Sequence, residues 1–143
     1  MYLEKPGRIL GIDYGEKRVG LAITDPLAIT ARGFETIFNK DRKELLKSLQ
    51  SIISSNEIKK IVVGIPYSLN GNKGPMAEVV EEFTRDLSSS TEVKVDTWSE
   101  EFSSEDAKSA LRQIGVDYRK NKGEIDKMAA ALILRSYLDH HAG

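Results

Sequence analysis

Residues 8–25 read RILGIDYGEKRVGLAITD, two apolar runs separated by a break at Gly15-Glu16. Side chains alternate along a strand, so Ile9, Gly11 and Asp13 are expected to share one face of the first run. Gly11 has no side chain, so another backbone or a ligand can approach closely beside Asp13. A carboxylate in the middle of a sheet is costly unless a cation or hydrogen bonds offset its charge. Asp13 is therefore a candidate metal ligand, and the alternative is an Asx turn that closes the hairpin through Gly15.

The length of 143 residues predicts a single domain, residues 1–143, with one substantial core. Cysteine is absent, which excludes disulfides and thiolate metal sites and is typical of a reducing cytoplasm. No stretch is apolar and long enough to cross a membrane, and residues 1–6 lack the core of a signal peptide. Together these features predict a cytoplasmic protein without a membrane partner.

The formal net charge of −1 provides no overall positive field. That balance argues against a non-enzymatic nucleic-acid binder, which usually presents a basic face. It bears less on a metal-dependent nuclease, because bound cations help such an enzyme to hold phosphate.

Hydrophobic periodicity predicts five strands and four helices. Short breaks after residues 14 and 24 favour an antiparallel meander of the first three strands, and the continuous apolar run at 60–65 is typical of a buried parallel strand. The predicted strands are 7–14, 17–24, 28–37, 60–65 and 93–98, and the predicted helices are 41–54, a helix from Pro75, 103–115 and 124–138. This order predicts an α/β, three-layer domain, in which helices flank a five-stranded mixed sheet made of the meander and two parallel strands.

Two further acidic positions fall where this fold can bring them to Asp13. Glu100 follows the fifth strand, and Asp126 lies in the first turn of the last helix, on the same side as Ala129 and Ala130. Each has a simpler explanation, because Asp126 also suits a helix N-terminus and Glu100 lies in an acidic run with Glu101. The sequence hardly distinguishes which of Glu100 and Glu101 would be the functional glutamate.

Oxygen ligands of this kind favour hard cations. Mg²⁺ and Mn²⁺ prefer carboxylates, and His140 and His141 fall in a polar tail where solvation is expected. Two such ions about 4 Å apart suit in-line displacement at phosphorus, with one activating water and the other stabilising the leaving oxygen.

Three blocks of sequence together resemble the YqgF/RuvX-like family. They are GIDYGEKRVGLA at 11–22, VGIP at 63–66 followed by Asn70-Gly71 and Pro75, and GEIDKMAA at 123–130. Members are described as Holliday junction resolvases and, in bacteria, as nucleases that process the 5′ end of pre-16S ribosomal RNA. The resemblance implies an RNase H-like fold and carries the catalytic and metal-binding roles onto Asp13, Glu100 and Asp126.

One block departs from the family pattern. Where the family usually has Asp-Glu-Arg before a Leu-Ser/Thr-Thr stretch, this chain has Ser99-Glu100-Glu101-Phe102. The central glutamate is kept, but the arginine that would hold a phosphate or orient that glutamate is replaced by an acid. Glu100 is therefore a weaker candidate than Asp13 or Asp126.

Six basic residues near these acids are candidates for binding the substrate backbone. Phosphate contacts of this kind position a strand without reading its sequence. Any one of them taken alone is better explained as a solvated loop residue, and the argument for substrate binding rests on the group. The six are Lys17, Arg18, Lys73, Arg119, Lys120 and Lys122.

The leading functional hypothesis is a metal-dependent nuclease that acts on structured RNA, specifically in 5′-end processing of pre-16S ribosomal RNA. The expected partners are that precursor RNA and ribosomal subunit precursors, with the protein a monomer or weak homodimer. A Holliday junction resolvase acting on branched DNA is the enzymatic alternative, and such enzymes normally act as dimers. A non-catalytic ribosome-assembly factor is the third hypothesis, since fold alone does not guarantee activity. One lobe of an actin-like ATPase ranks last, because those enzymes need two lobes.

Overall fold

The computed structural model describes residues 6–66, 74–99 and 120–141. Its strands form one sheet in the order β3-β2-β1-β4-β5. β1, β2 and β3 are antiparallel neighbours, whereas β4 and β5 run parallel to β1, which confirms the predicted mixed sheet. The elements are β1 Arg8–Tyr14, β2 Arg18–Thr24, β3 Ala31–Phe38, α1 Arg42–Ser55, β4 Ile58–Ile65, α2 Pro75–Ser90, β5 Lys94–Ser99 and α3 Lys122–His141.

The two faces of β1 belong to different parts of the core, as the alternation of its side chains predicts. Leu10, Ile12 and Tyr14 pack with the apolar faces of α1 and α2. Ile9 lies on the opposite face and packs with α3. The described elements therefore form three layers, with α1 and α2 on one side of the sheet and α3 on the other.

Helix α3 lies very close to the sheet because glycines line its path. A Cβ atom on Gly11 of β1 would lie 3.3 Å from the carbonyl oxygen of Ala130, and one on Gly33 of β3 would lie 2.9 Å from Cβ of Lys127. The space at Gly11 that the sequence predicts is therefore filled by α3, through the side chain of Leu134 and the carbonyl of Ala130.

The far end of α3 is held against β4 and β5. The hydroxyl of Tyr137 donates to Asp96 Oδ2 at 3.2 Å, and Lys60 Nζ lies 3.1 Å from the same oxygen. Burial by itself would raise the pKa of Asp96, but the hydrogen bond and charge of Lys60, together with the charge of Lys94 and the hydrogen bond from Tyr137, lower that pKa. The helix thus crosses the sheet from β3 and β2 to β5.

The predicted third strand begins too early. Residues 25–30 form a loop in which the Asp25 carboxylate accepts hydrogen bonds from the backbone N–H groups of Leu27, Ile29 and Thr30, at 2.7–2.9 Å. Ala28 has a φ of 56°, which a strand does not allow. β3 consequently starts at Ala31 rather than near residue 28.

The predicted last helix is too short at both ends. α3 begins at Lys122, so Lys122 and Gly123 are helical rather than part of a basic loop, and it continues to His141. Asn121 provides the carbonyl that accepts the hydrogen bond from the N–H of Ile125. The predicted helix 103–115 lies outside the described residues. Across the described ranges, no helix combines the length and apolar character needed to span a membrane.

Candidate active site

Asp13 and Asp126 are both neighbours of Gly20 in β2. Asp13 is the next-to-last residue of β1 and pairs across the ladder with Gly20 of β2, so their Cβ positions lie on one face about 5 Å apart. A Cβ atom on Gly20 would lie 2.1 Å from the backbone oxygen of Asp126 and 2.9 Å from its Cβ. The first turn of α3 therefore sits directly on Gly20, which places Asp126 beside Asp13.

Asp126 is already paired with a cation of the chain. Its Oδ2 accepts a hydrogen bond of 2.7 Å from Nε of Arg18, the first residue of β2, and both side chains are mostly buried. A guanidinium has five N–H donors, and this bond uses one of them. The ion pair orients the Asp126 side chain toward the β1–β2 hairpin.

The start of α3 is also tied to β3. The hydroxyl of Thr36 donates to the carbonyl oxygen of Gly123 at 2.7 Å. Thr36 pairs with Gly20, so this hydrogen bond lies in the same row of the sheet as Asp13. Two neighbouring strands, β2 and β3, thus fix the helical turn that carries Asp126.

The end of β1 is held from the opposite face. The ring of Tyr14 stacks on Phe83 of α2, with centroids 4.4 Å apart, and its hydroxyl lies 3.1 Å from Nη2 of Arg42. Arg42 in turn forms an ion pair with Asp86 of α2. Because Tyr14 follows Asp13, this packing fixes the backbone from which the Asp13 carboxylate projects.

Glu100, Lys73 and Arg119 lie outside the described residues. Glu100 follows Ser99, the last residue of β5, and β5 runs parallel to β4 and β1. The carboxyl ends of parallel strands lie at one edge of a sheet. The chain therefore leaves β5 at the edge where β1 carries Asp13, and the role of Glu100 stays a prediction.

The remaining basic candidates lie around this edge. Lys17 is exposed in the β1–β2 hairpin, and its carbonyl oxygen accepts a 2.8 Å hydrogen bond from the N–H of Asn39. Lys120 and Lys122 are exposed at the start of α3. Arg18 differs from these three lysines because its Nε is bonded to Asp126.

The two histidines are exposed, as expected, but they belong to the last turn of α3 rather than to a polar tail. The ring of His141 stacks on Tyr137, with centroids 4.0 Å apart, and the ring of His140 lies 5.0 Å from that of Trp98. Within residues 6–66, 74–99 and 120–141, no group of three or more acidic, histidine or cysteine side chains is close enough to hold a metal ion.

The family described as RuvX: Holliday junction resolvase matches residues 7–140. The chain belongs to this RuvX family. The match includes both Asp13 and Asp126, the two acids that the sheet and α3 bring together.

Curated relatives cover almost the whole chain. A protein of Ruminiclostridium cellulolyticum is 42% identical over 137 residues, which are 95% of this chain and 96% of the relative. A protein of Geobacillus sp. is 44% identical over 134 residues, which are 92% of this chain and 97% of the relative. Both are named "Putative pre-16S rRNA nuclease".

Solved structures of low sequence identity share the fold. RuvC of T. thermophilus in complex with a Holliday junction substrate has a TM-score of 0.53 and 14% identity, with 94% of this chain and 95% of RuvC covered. The fowlpox virus resolvase in a complex with Holliday junction DNA has a TM-score of 0.58 and 15% identity, with 93% of this chain and 97% of the resolvase covered. These similarities confirm the RNase H-like fold class.

Two residues that position the site are missing from the sequence-based interpretation. Gly20 allows Asp126 to reach Asp13, and Thr36 holds the start of α3. A glycine in each of β1, β2 and β3 was the available signal, because glycine inside a strand often marks a close approach of another backbone. The hydrogen bond of Thr36 left no signal in the sequence.

Proposed function

We propose that this RuvX-family protein is a metal-dependent nuclease that hydrolyses phosphodiester bonds of structured RNA, in 5′-end processing of pre-16S ribosomal RNA. The observation that carries the proposal is the meeting of Asp13 and Asp126 over Gly20. The names of the curated relatives support the reaction and the substrate.

We further propose that residues 1–143 form one domain and that the protein acts in the cytoplasm. It would act there as a monomer or weak homodimer and contact ribosomal subunit precursors.

The donor set fits a hard divalent cation. Asp13 and Asp126 offer carboxylate oxygens from two different elements, and Glu100 would add a third from the end of β5. Oxygen donors are those that Mg²⁺ and Mn²⁺ prefer. A pair of such ions supplies an activated water and charge stabilisation of the leaving oxygen. Arg18 supplies positive charge at Asp126 and keeps its side chain directed to the site.

Binding of the substrate backbone is assigned to the exposed basic side chains around the same edge. Lys17, Lys120 and Lys122 surround the start of α3 and the hairpin, and the guanidinium of Arg18 has further donors beyond Nε. Lys73 and Arg119 complete the proposed set. Contacts of this type hold phosphates without sequence preference, so recognition of a particular RNA requires additional features.

The direct test is cleavage of a pre-16S RNA fragment by the purified protein in Mg²⁺ or Mn²⁺. Asp13→Asn and Asp126→Asn should each slow cleavage more than about a hundredfold, because several kcal/mol of charge stabilisation in the transition state is lost. Asp139→Asn is the matched control, since Asp139 is an exposed acid near the other end of α3. Cleavage that survives Asp13→Asn contradicts the proposal, and so does RNA binding without any cleavage.

A Holliday junction resolvase is the second candidate, favoured by the description of the family. Symmetric resolution of a four-way junction requires two active centres, so the active species would be a dimer. Paired cuts in a synthetic junction, together with a dimeric mass in solution, would favour this activity. Cleavage of RNA alone by a monomer would exclude it.

A further inference from the structure

Phe38 is an apolar side chain left in solvent at the end of a strand. It is 72% exposed and closes β3, which is an edge strand of the sheet. Leu27 and Ile29 are also large and exposed, at 49% and 68%, but they lie in the loop at the opposite end of the β2–β3 hairpin. Exposed aliphatic side chains are common on protein surfaces. The position of Phe38 distinguishes it from these two.

The register of the sheet places Phe38 on the face that carries the candidate active site. Phe38 pairs with Arg18, and Thr36 on the same side of β3 pairs with Gly20. Thr36 is bonded to α3, so this side of β3 faces that helix. Phe38 is therefore the cross-strand neighbour of the arginine that pairs with Asp126. Strand spacing and rise put it about 12 Å from Asp13.

Positive charge surrounds this ring. Asn39 is bonded to the backbone of Lys17, which brings the β1–β2 hairpin beside the end of β3, and Lys40 follows in sequence. The start of α3, held at Thr36, adds Lys120 and Lys122. The acids of the same segments are Glu16, Asp41 and Glu124, and Glu124 is paired with Lys127 at 2.9 Å, so basic side chains are still in excess.

An exposed aromatic ring among lysines, next to acids that act on phosphodiesters, fits single-stranded nucleic acid. A base stacks on the ring while neighbouring phosphates meet the cations. In a continuous duplex both faces of a base are already covered by its neighbours, so the ring has no base to accept.

We propose that Phe38 is a stacking platform for an unpaired base that lies near the scissile phosphate. The proposal rests on the proposed nuclease function and defines its substrate class further. The preferred substrates are RNAs with at least one unpaired nucleotide beside the cleavage site, rather than uninterrupted duplexes. Recognition at Phe38 is expected to be independent of base identity, because every base has a π-face.

Binding is tested in the Asp13→Asn background, so that RNA is not consumed, with a labelled single strand of roughly 12 nucleotides in Mg²⁺. Phe38→Ala should weaken binding roughly 5- to 150-fold, the range measured for loss of one stacked base. Phe38→Trp should restore it. A blunt RNA duplex should bind both proteins equally.

Stacking should also quench the fluorescence of 2-aminopurine placed in the single strand, and Phe38→Ala should remove that quenching.

Ile29→Ala is the matched control, because Ile29 is almost equally exposed but lies at the far end of the same hairpin. It should leave binding of the single strand unchanged. Equal affinity of Phe38→Ala and its parent for the single strand overturns the proposal, as does an equal loss for strand and duplex. A dimer that becomes a monomer in Phe38→Ala, with RNA affinity unchanged, also overturns it and assigns Phe38 to contact between copies.

The two proposals fail in different ways. If the wild-type chain cleaves RNA and Phe38→Ala leaves KM and kcat unchanged, the nuclease function stands and the stacking role is wrong. If the strand binds through Phe38 but the wild-type chain never cleaves it, stacking stands and the nuclease function is wrong. If the chain does not bind the single strand at all, the stacking proposal is overturned without reference to cleavage.

Discussion

At the scale of single residues, Gly20 allows the start of α3, which carries Asp126, to lie directly on the strand beside Asp13. Any side chain there would collide with backbone atoms of α3 rather than with a flexible side-chain end. Backbone cannot rotate away as a side chain does, so the helix itself would have to move. The geometry of the candidate site therefore depends on a residue that carries no functional group.

Gly20→Ala should destabilise the protein by about 1–3 kcal/mol and displace Asp126 from Asp13, because overpacking forces backbone shifts. Gly123→Ala is the matched control within α3 and should be neutral or stabilising by up to about 1 kcal/mol. A Cβ there would meet Thr36 at an ordinary 3.8 Å. Urea unfolding and the cleavage assay check both variants. An active Gly20→Ala protein of unchanged stability would contradict the close packing described here.

The hydrogen bonds of Asp25 in the β2–β3 loop predict that the stability of the protein depends on pH in the acid range. The hydrogen bond from the backbone N–H of Thr30, with those from Ile29 and Leu27, lowers the pKa of Asp25 from 3.8 to about 2. A lowered pKa in the folded state contributes stability above pH 3.8 that is lost as pH falls toward about 2. The stability advantage of the wild type over Asp25→Asn should therefore shrink over that range. Urea unfolding of both proteins and an NMR titration of the carboxyl carbon measure it; a titration near 3.8 would contradict the hydrogen bonding.

At the scale of elements, α3 is the part that brings the site together. It spans the sheet from the glycines of β1, β2 and β3 to Asp96 on β5, and its buried side includes small residues such as Ala129 and Ala130. Small residues on the helix and glycines on the strands together permit the close approach. Fixing α3 at both ends therefore fixes Asp126.

Thr36→Val should release the start of α3. The change keeps the shape of the side chain but removes the 2.7 Å hydrogen bond that links β3 to the carbonyl of Gly123, at a cost of about 1 kcal/mol. Thr84→Val is the control, because Thr84 bonds to Val80 within its own helix and its loss breaks no link between two elements. Hydrogen exchange should accelerate in the first turn of α3 only for Thr36→Val. Equal exchange in both variants would contradict the role of Thr36.

Most elements follow from local sequence, and the exceptions have identifiable physical causes. The alternation in residues 8–14 and the apolar run at 60–65 predict β1 and β4 closely. The start of β3 was misplaced because a side-chain carboxylate, not hydrophobic pattern, organises residues 25–30. Asp13 and Asp126 were predictable as candidates. The packing of α3 on Gly20 and the ion pair of Arg18 with Asp126 are long-range contacts, which hydrophobic periodicity does not reveal.

At the scale of the whole molecule, the chain has a net charge of −1 and its proposed active site lies at one edge of the sheet. Acids from β1 and α3 meet there, and exposed lysines lie around them. Carboxylates repel a phosphate, so cations must offset their negative charge before the substrate can bind there. Arg18 supplies one within the chain, and divalent ions would supply the rest.

The central claim is that Asp13 and Asp126 bind divalent cations together. Crystals soaked in Mn²⁺ test it most directly, since anomalous scattering locates the metal. We predict a peak with oxygen ligands from both carboxylates, which is lost in Asp13→Asn crystals treated in the same way. Full soaking that leaves no peak between them, with Asp126 still held by Arg18 alone, would contradict it.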